Sequence, residues 1–227
     1  MSKIAILGGT GILGKELKKI DDSLIVSGSE VDIRNYLLLS KYLIDINPDI
    51  IINCVSLKSE VVDKRRIDSI DINIIGAANI SKFCLDFDKR LCYISTDYVY
   101  SGRRGYYSED DEVLPHNLYA WTKLAAESCT MLVRNHIIIR TSFGENNFPY
   151  KFAYKNVFVS KDYVDRIAPI ILESAKSNIQ GILNIGTDRK SVYDYANQRN
   201  NIEGKDAEFF KDFSLNTEKL KTFKLDV

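Results

Sequence analysis

Histidine is scarce in this chain of 227 residues, which carries two, and so are tryptophan, with one, and methionine, with two. His136 abuts the apolar run Ile137-Ile138-Ile139, where a packed role fits better than proton transfer. Cys54, Cys84, Cys92 and Cys129 form no Cys-x-x-Cys pair and have no histidine at ligand spacing. That argues against a zinc ribbon or a redox dithiol and leaves reduced, buried thiols as the expectation, with no metal site. An excess of either charge is also missing, since 31 Lys and Arg balance 31 Asp and Glu. Without a net field, neither nucleic acid nor an anionic membrane is an expected partner, and any anion must be held locally. No apolar run approaches the roughly 18 to 20 residues of a membrane span, and the N-terminus lacks the charged, apolar and small-residue order of a signal segment. A cytoplasmic location is expected. No repeat, linker or low-complexity tract interrupts the chain.

What the sequence does have begins at once. Residues 3–7 form a short apolar run, followed by Gly8-Gly9-Thr10-Gly11-Ile12-Leu13-Gly14 and then a helical pattern through Leu17 and Ile20. This reads as strand, glycine turn and helix. Gly8 permits the tight turn, Gly11 lets the backbone approach a pyrophosphate, Gly14 allows close helix–strand packing, and the helix N-terminus offers amide donors. A dinucleotide is the expected ligand, with Gly8, Thr10, Gly11, Ile12 and Leu13 against its phosphates.

A second strand over 24–26 runs into Ser27-Gly28-Ser29-Glu30, and then Val31, Asp32 and Ile33, the last two expected beside the adenosine. An acid directly at the strand end would mark NAD, and an arginine there would mark NADP. Neither stands there, so the choice between NAD and NADP stays open. A helix over 37–46 closes at Asn47-Pro48, and 49–56 is a buried strand whose end places Cys54, Val55 and Ser56 beneath the cofactor. A long helical stretch from 61 to 87 carries Asn73 to the same ligand. Strands over 91–96 and 137–141 complete an alternation that argues an α/β fold, a parallel sheet covered on both faces.

Past Gly144 the pattern loosens, with a strand at 157–159, a helix at 163–177, a strand at 181–186 and a short helix at 191–198. Residues 1–144 are therefore expected to form a dinucleotide-binding domain, and 145–227 a small, continuous substrate-side lobe. The aromatic tail Phe209, Phe210, Phe213 and Phe223 is expected to form that lobe's core.

The chemistry centres on Leu118-Tyr119-Ala120-Trp121-Thr122-Lys123, which opens a helical run. Residues four apart share a helix face, so Tyr119 and Lys123 present a phenol and an ammonium to one cleft. A nearby cation favours the ionised phenol and brings proton exchange toward neutral pH. Thr96, at a strand end, offers a hydroxyl to the oxygen being protonated.

Taken together, the glycine turn, Pro48-Asp49-Ile50-Ile51-Ile52-Asn53-Cys54, Ser95-Thr96-Asp97-Tyr98-Val99-Tyr100 with Gly102, Tyr106-Tyr107-Ser108-Glu109-Asp110, Tyr119 to Leu124, Arg140-Thr141-Ser142-Phe143 and Ser214 to Leu220 resemble the extended short-chain dehydrogenase/reductase superfamily. Within it the chain looks like the dTDP-4-dehydrorhamnose reductase branch. The resemblance implies a Rossmann-like doubly wound sheet and NAD(P)H-dependent reduction of a nucleotide-linked 4-keto-6-deoxy sugar for surface polysaccharide. Tyr119 would protonate the carbonyl oxygen, Lys123 would hold the nicotinamide ribose and depress the Tyr119 pKa, and Thr96 would hydrogen-bond the reacting oxygen. Asp97, Tyr98, Tyr107 and Phe143 would meet the sugar. Related dehydratases place an acid where Tyr98 stands, which favours net reduction.

Homodimers are common in the superfamily, so a homodimer is a further expectation. The chain departs from the family at Ala120-Trp121, which would crowd the pocket, at Phe143, where the family has tryptophan, and in the short segment 147–156. These departures keep open a non-catalytic dinucleotide-binding regulatory subunit; a sugar-nucleotide epimerase is a further alternative, disfavoured because epimerases of the superfamily carry a Ser/Ala-rich sequence after the position of Thr96.

Overall fold

Short β-branched runs set the frame. The computed structural model describes residues 2–223. Five parallel strands, β1 (Ile4–Leu7), β2 (Ile25–Ser27), β3 (Ile50–Asn53), β4 (Arg90–Ile94) and β5 (His136–Thr141), are joined by a sixth, β6 (Gly181–Ile185), in the order β6-β5-β4-β3-β1-β2. Between them run α1 (Ile12–Ile20), α2 (Tyr36–Ile46), α3 (Ala77–Asp86), α4 (Leu118–Thr130) and α5 (Val164–Lys176).

Side chains that alternate along each strand supply two cores. Ile4, Ile6, Ile50, Ile52, Ile137 and Ile139 pack with Leu13 and Leu17 of α1 and Ile167, Ile171 and Leu172 of α5. Leu7, Ile51 and Leu91 face the other way, onto Leu39 and Leu43 of α2 and Ile80 and Phe83 of α3. Burial on both faces is why the strands read as continuous apolar runs, and it makes the sheet doubly wound. The chain leaves β1 toward β2, then returns past β1 to β3 and onward. Strand order therefore reverses between β1 and β3, and a ligand crevice opens over their carboxyl ends.

The expected helix from 61 to 87 is broken. It forms as Ser59–Val62, Arg66–Ser69, a π-helical turn Ile70–Gly76 and then α3. Asp63 to Ile67 are all exposed, so no apolar stripe holds this part to the sheet. The wide π turn has a use: it aims Asn73 inward, where Oδ1 accepts from Leu57 N at 2.7 Å and Nδ2 donates to Thr122 Oγ1 at 2.9 Å.

The sheet takes α5 and β6 from beyond residue 144. The rest of that region is a set of very short strands. Val157–Val159 lies between Lys190–Ser191, antiparallel, and Lys211–Asp212, parallel. Phe152–Tyr154 pairs with Glu203–Lys205, and Phe143–Gly144 with Asp162–Tyr163. The aromatic tail departs from expectation: Phe209 and Phe210 are exposed, and Phe213 is buried against Tyr98 and His116, each ring centroid 4.9 Å away. Among the described residues no helix is long and apolar enough to cross a membrane, and no cluster of three His, Cys, Asp or Glu is placed for a metal.

Candidate active site

A cleft of about 380 Å³ opens over the carboxyl ends of β1, β3, β4 and β5. At its floor Gly8 has φ of +82°, and a Cβ there would come within 2.9 Å of Val55 N, so a side chain would displace the end of β3. Gly9 N–H donates to Ser27 O at 2.7 Å, and a Cβ on Gly14 would sit 2.3 Å from Gly9 Cα. The turn is thus pressed between β2, β3 and the start of α1. Gly11, the N-cap of α1, provides no side-chain cap, which leaves the first amides of the helix facing the cleft.

On the opposite wall α4 begins where Asn117 Oδ1 accepts from Ala120 N at 2.8 Å. A buried ion pair, Arg140 Nη2 to Glu127 Oε2 at 2.8 Å, ties α4 to β5, and Ser95 donates to Glu127 from the end of β4. This clamp fixes the helix that carries Tyr119 and Lys123. Ala120 is fully buried and Trp121 is 54% exposed, so the tryptophan does not line the cleft and the expected crowding does not occur.

Thr96 closes a 3-10 turn over Asp97–Val99 by accepting from Tyr98 N at 3.2 Å, and its hydroxyl donates to Asp97 Oδ1 at 3.1 Å. Asp97 is 1% exposed, with Oδ2 lacking a hydrogen-bond partner. Burial pushes its carboxyl up to about 7, against the pull of the Lys161 ammonium. Lys123 is 3% exposed with Nζ 4.3 Å from the centroid of the Tyr93 ring, and burial pushes it down to about 7. Tyr119 lines the cleft with its phenol pushed up to about 12, chiefly by burial, with the neighbouring Ser56 acting the other way. Lys123 was expected to depress the Tyr119 pKa. It does not: its Nζ lies over the Tyr93 ring, and at Tyr119 the loss of solvent dominates.

The family model of the RmlD substrate binding domain matches residues 2–198. The chain belongs to this family. Among curated relatives of this RmlD-family chain, dTDP-4-dehydrorhamnose reductase of Mycolicibacterium smegmatis is 31% identical over 152 residues, which cover 62% of the chain and 45% of that protein. Methionine adenosyltransferase 2 subunit beta of Rattus norvegicus is 27% identical over 142 residues, covering 57% and 42%. The matched stretch spans less than half the length of these curated relatives. Of solved structures, dTDP-4-dehydrorhamnose reductase from Bacillus anthracis in complex with NADP superposes with a TM-score of 0.84 at 24% identity, over 99% of this chain and 92% of the other. WbmG of Bordetella bronchiseptica in complex with NAD gives 0.81 at 16%, over 100% and 89%. At such identities the likeness is one of fold, and that fold is the Rossmann-like α/β sheet described above.

In this RmlD-family chain the cleft gathers Gly8, Gly11, Ile12, Leu13, Cys54, Ser56, Thr96, Asp97, Tyr98, Tyr119, Lys123 and Phe143. Others on the expected roster lie elsewhere. Tyr107 is buried and stacked on Tyr100 at 4.6 Å, and its hydroxyl accepts from Arg103 N at 3.0 Å; it shapes the loop after Tyr100 and does not line the cleft. Asn73 is spent on Leu57 and Thr122, bracing the cleft from behind. Val55 backs Gly8, and Ile33 is buried against Gly76. Thr10 and Asp32 flank the β2 end instead, Asp32 in a separate shallow groove with Arg34.

Sequence reasoning missed Lys161, Tyr195, Glu60, Ser142 and the segment 148–150, all on the cleft wall. Lys161 follows the apolar triplet Val157–Val159 by two residues, and a strand end aimed at the rim was the available signal.

Proposed function

We propose that this protein is an NAD(P)H-dependent reductase of a nucleotide-linked 4-keto-6-deoxy sugar, working in the cytoplasm, in the supply of sugars for surface polysaccharide. The observation that carries the reading is the convergence of Thr96, Tyr119 and Lys123 on one cleft above the glycine turn. The likeness to proteins named dTDP-4-dehydrorhamnose reductase supports it. A dinucleotide fits the chain's own features, because the backbone at Gly8 has no room for a Cβ and the uncapped start of α1 offers amides to a pyrophosphate.

Bound there, the reduced nicotinamide supplies a hydride to the carbonyl carbon. Tyr119 gives its phenolic proton to the carbonyl oxygen; burial, which holds its pKa up to about 12, keeps it protonated at neutral pH but makes it a weaker acid, so donation needs a cation beside the phenolate it leaves. The tyrosinate left behind is costly in an enclosed cleft, so Lys123, one turn along α4, supplies the compensating cation. Thr96 turns its hydroxyl from Asp97 Oδ1 to the same oxygen. Asp97, Tyr98 and Phe143 border the sugar, with Tyr98 backed by Phe213 and His116. Tyr98 has no carboxylate to move protons for a dehydration.

Mixing the protein with NADH or NADPH and dTDP-4-dehydrorhamnose should consume the reduced nicotinamide absorbance. Tyr119→Phe should lower the rate by about 10²- to 10⁴-fold. No oxidation with either cofactor, or full activity in the variant, overturns the reading. The similarity to methionine adenosyltransferase 2 subunit beta favours a second reading, a dinucleotide-binding regulatory subunit. Calorimetry separates the two, because the subunit would bind dinucleotide and no sugar nucleotide.

A further inference from the structure

The carboxyl end of β2 is rich in acid. The Gly9-to-Ser27 hydrogen bond at 2.7 Å seats this strand end on the glycine turn. A few residues on, the Glu30 side chain folds back, and its Oε1 accepts from Gly28 N–H at 2.6 Å. A Cβ on Gly28 would lie 3.0 Å from Glu30 Oε2 and 2.6 Å from Thr10 Cγ2, so the carboxylate stands at the edge of the turn itself. Glu30 joins no ion pair among the described residues. Arg34, in the adjoining groove with Asp71, is already engaged. Its Nε and Nη2 donate to Asp32 Oδ1 and Oδ2, each at 2.8 Å, while Asp71 and Asp68 add to the negative surroundings.

We infer that the adenosine end of the cleft accepts a ribose with a free 2′-hydroxyl, that of NAD(H), and rejects the 2′-phosphate of NADP(H), with Glu30 as the discriminating acid. The inference rests on the proposed reading that a dinucleotide lies on the glycine turn. Glu30 falls about 20 residues past that turn, the spacing at which an acid meets a ribose hydroxyl in such sheets. A hydroxyl donates to a carboxylate, whereas a phosphate of charge near −2 is repelled by it at close range. A guanidinium is the group that would offset that repulsion, and Arg34 is held bidentately by Asp32. The likeness to an NADP complex does not set this preference, because at 24% identity it is a likeness of fold.

Isothermal titration of the purified protein with NADH and with NADPH tests the inference without any substrate. NADH should bind at least about tenfold more tightly. Glu30→Gln should close most of that gap by tightening NADPH, and Glu30→Arg should invert it. Because Glu30 is exposed, both variants should melt where the wild type does. If either fails to fold, titration of the wild type with adenosine 5′-phosphate and adenosine 2′,5′-bisphosphate replaces it, and the first should bind more tightly. Equal or tighter binding of NADPH or of the bisphosphate, or an unchanged gap in Glu30→Gln, overturns the inference while leaving the reductase reading in place. Binding of neither dinucleotide defeats both.

Discussion

The sheet layer and the small lobe beyond residue 144 are held together by different forces. In the sheet, branched apolar side chains alternate between two faces and are sealed by helices on each. In the lobe, strands of two or three residues are tied by side chains. Arg189 Nε donates to Asp212 at 2.7 Å, and Asn156 exchanges bonds of 2.9 and 2.8 Å with the backbone of Ala207. The first arrangement carries the glycine turn, Thr96, Tyr119 and Lys123. The second supplies Lys161 and Tyr195 to the same cleft. The proposed chemistry therefore sits on the sheet layer, and the wall facing it is held in part by polar contacts outside that sheet.

The contrast is broken most directly at Ile52, fully buried in the centre of β3. Ile52→Ala should cost about 2–5 kcal/mol, because neighbours on both sides are pinned and the cavity cannot close. A urea midpoint that hardly moves would show the sheet core to be looser than its packing implies.

The cleft itself should be the least comfortable part of the sheet layer near neutral pH. Asp97 is raised from 3.8 to about 7, so its favourable contribution is present at low pH and lost as pH rises to about 7. Lys123 is lowered from 10.5 to about 7, so its contribution is present at high pH and lost as pH falls to about 7. Both signs place a minimum of ligand-free stability near pH 7, on the order of a few kcal/mol deep. Thermal melts across about pH 4 to 10 should show the dip; Asp97→Asn should remove its acidic limb and Lys123→Met its alkaline limb. A flat profile would place both groups in contact with water.

Gly8→Ala forces a side chain into a φ of +82° and against Val55 N at 2.9 Å. The expected cost is about 1–3 kcal/mol, with dinucleotide affinity lost as well. Melting temperature and calorimetry separate these effects, and an alanine that binds dinucleotide normally would remove the turn from the site.

Legibility in the sequence follows the same division. Strands β1 to β6 were readable because two-sided burial writes itself as an apolar run, Gly8, Gly11 and Thr96 because strand ends place them, and Tyr119 and Lys123 because they stand one turn apart on one helix. The break at Asp63 to Ile67 was not, since a π turn is set by what Asn73 reaches, and Asn73 reaches residues 16 and 49 positions away. Tyr107 was misplaced because an aromatic in a loop motif looks the same whether it meets a ligand or stacks on Tyr100. Lys161 was passed over because the three-residue strand Val157–Val159 is too short to show a period, and only its place just past that strand end marks it.

The smallest effect comes from the aromatic tail, where residues three apart part company. Phe210 is 53% exposed, and its ring centroid lies 5.7 Å from that of Phe158, whose ring is already covered by Arg189 at 3.6 Å. Phe210→Ala exposes little that water does not already reach and should change stability by no more than about 0.5 kcal/mol. Phe213 is 3% exposed and wedged against Tyr98 and His116 behind the cleft, so the same truncation there should cost about 3 kcal/mol or more. Paired urea titrations check the contrast. Equal losses at the two positions would mean that the tail packs as one unit, and that the lobe has an apolar core after all.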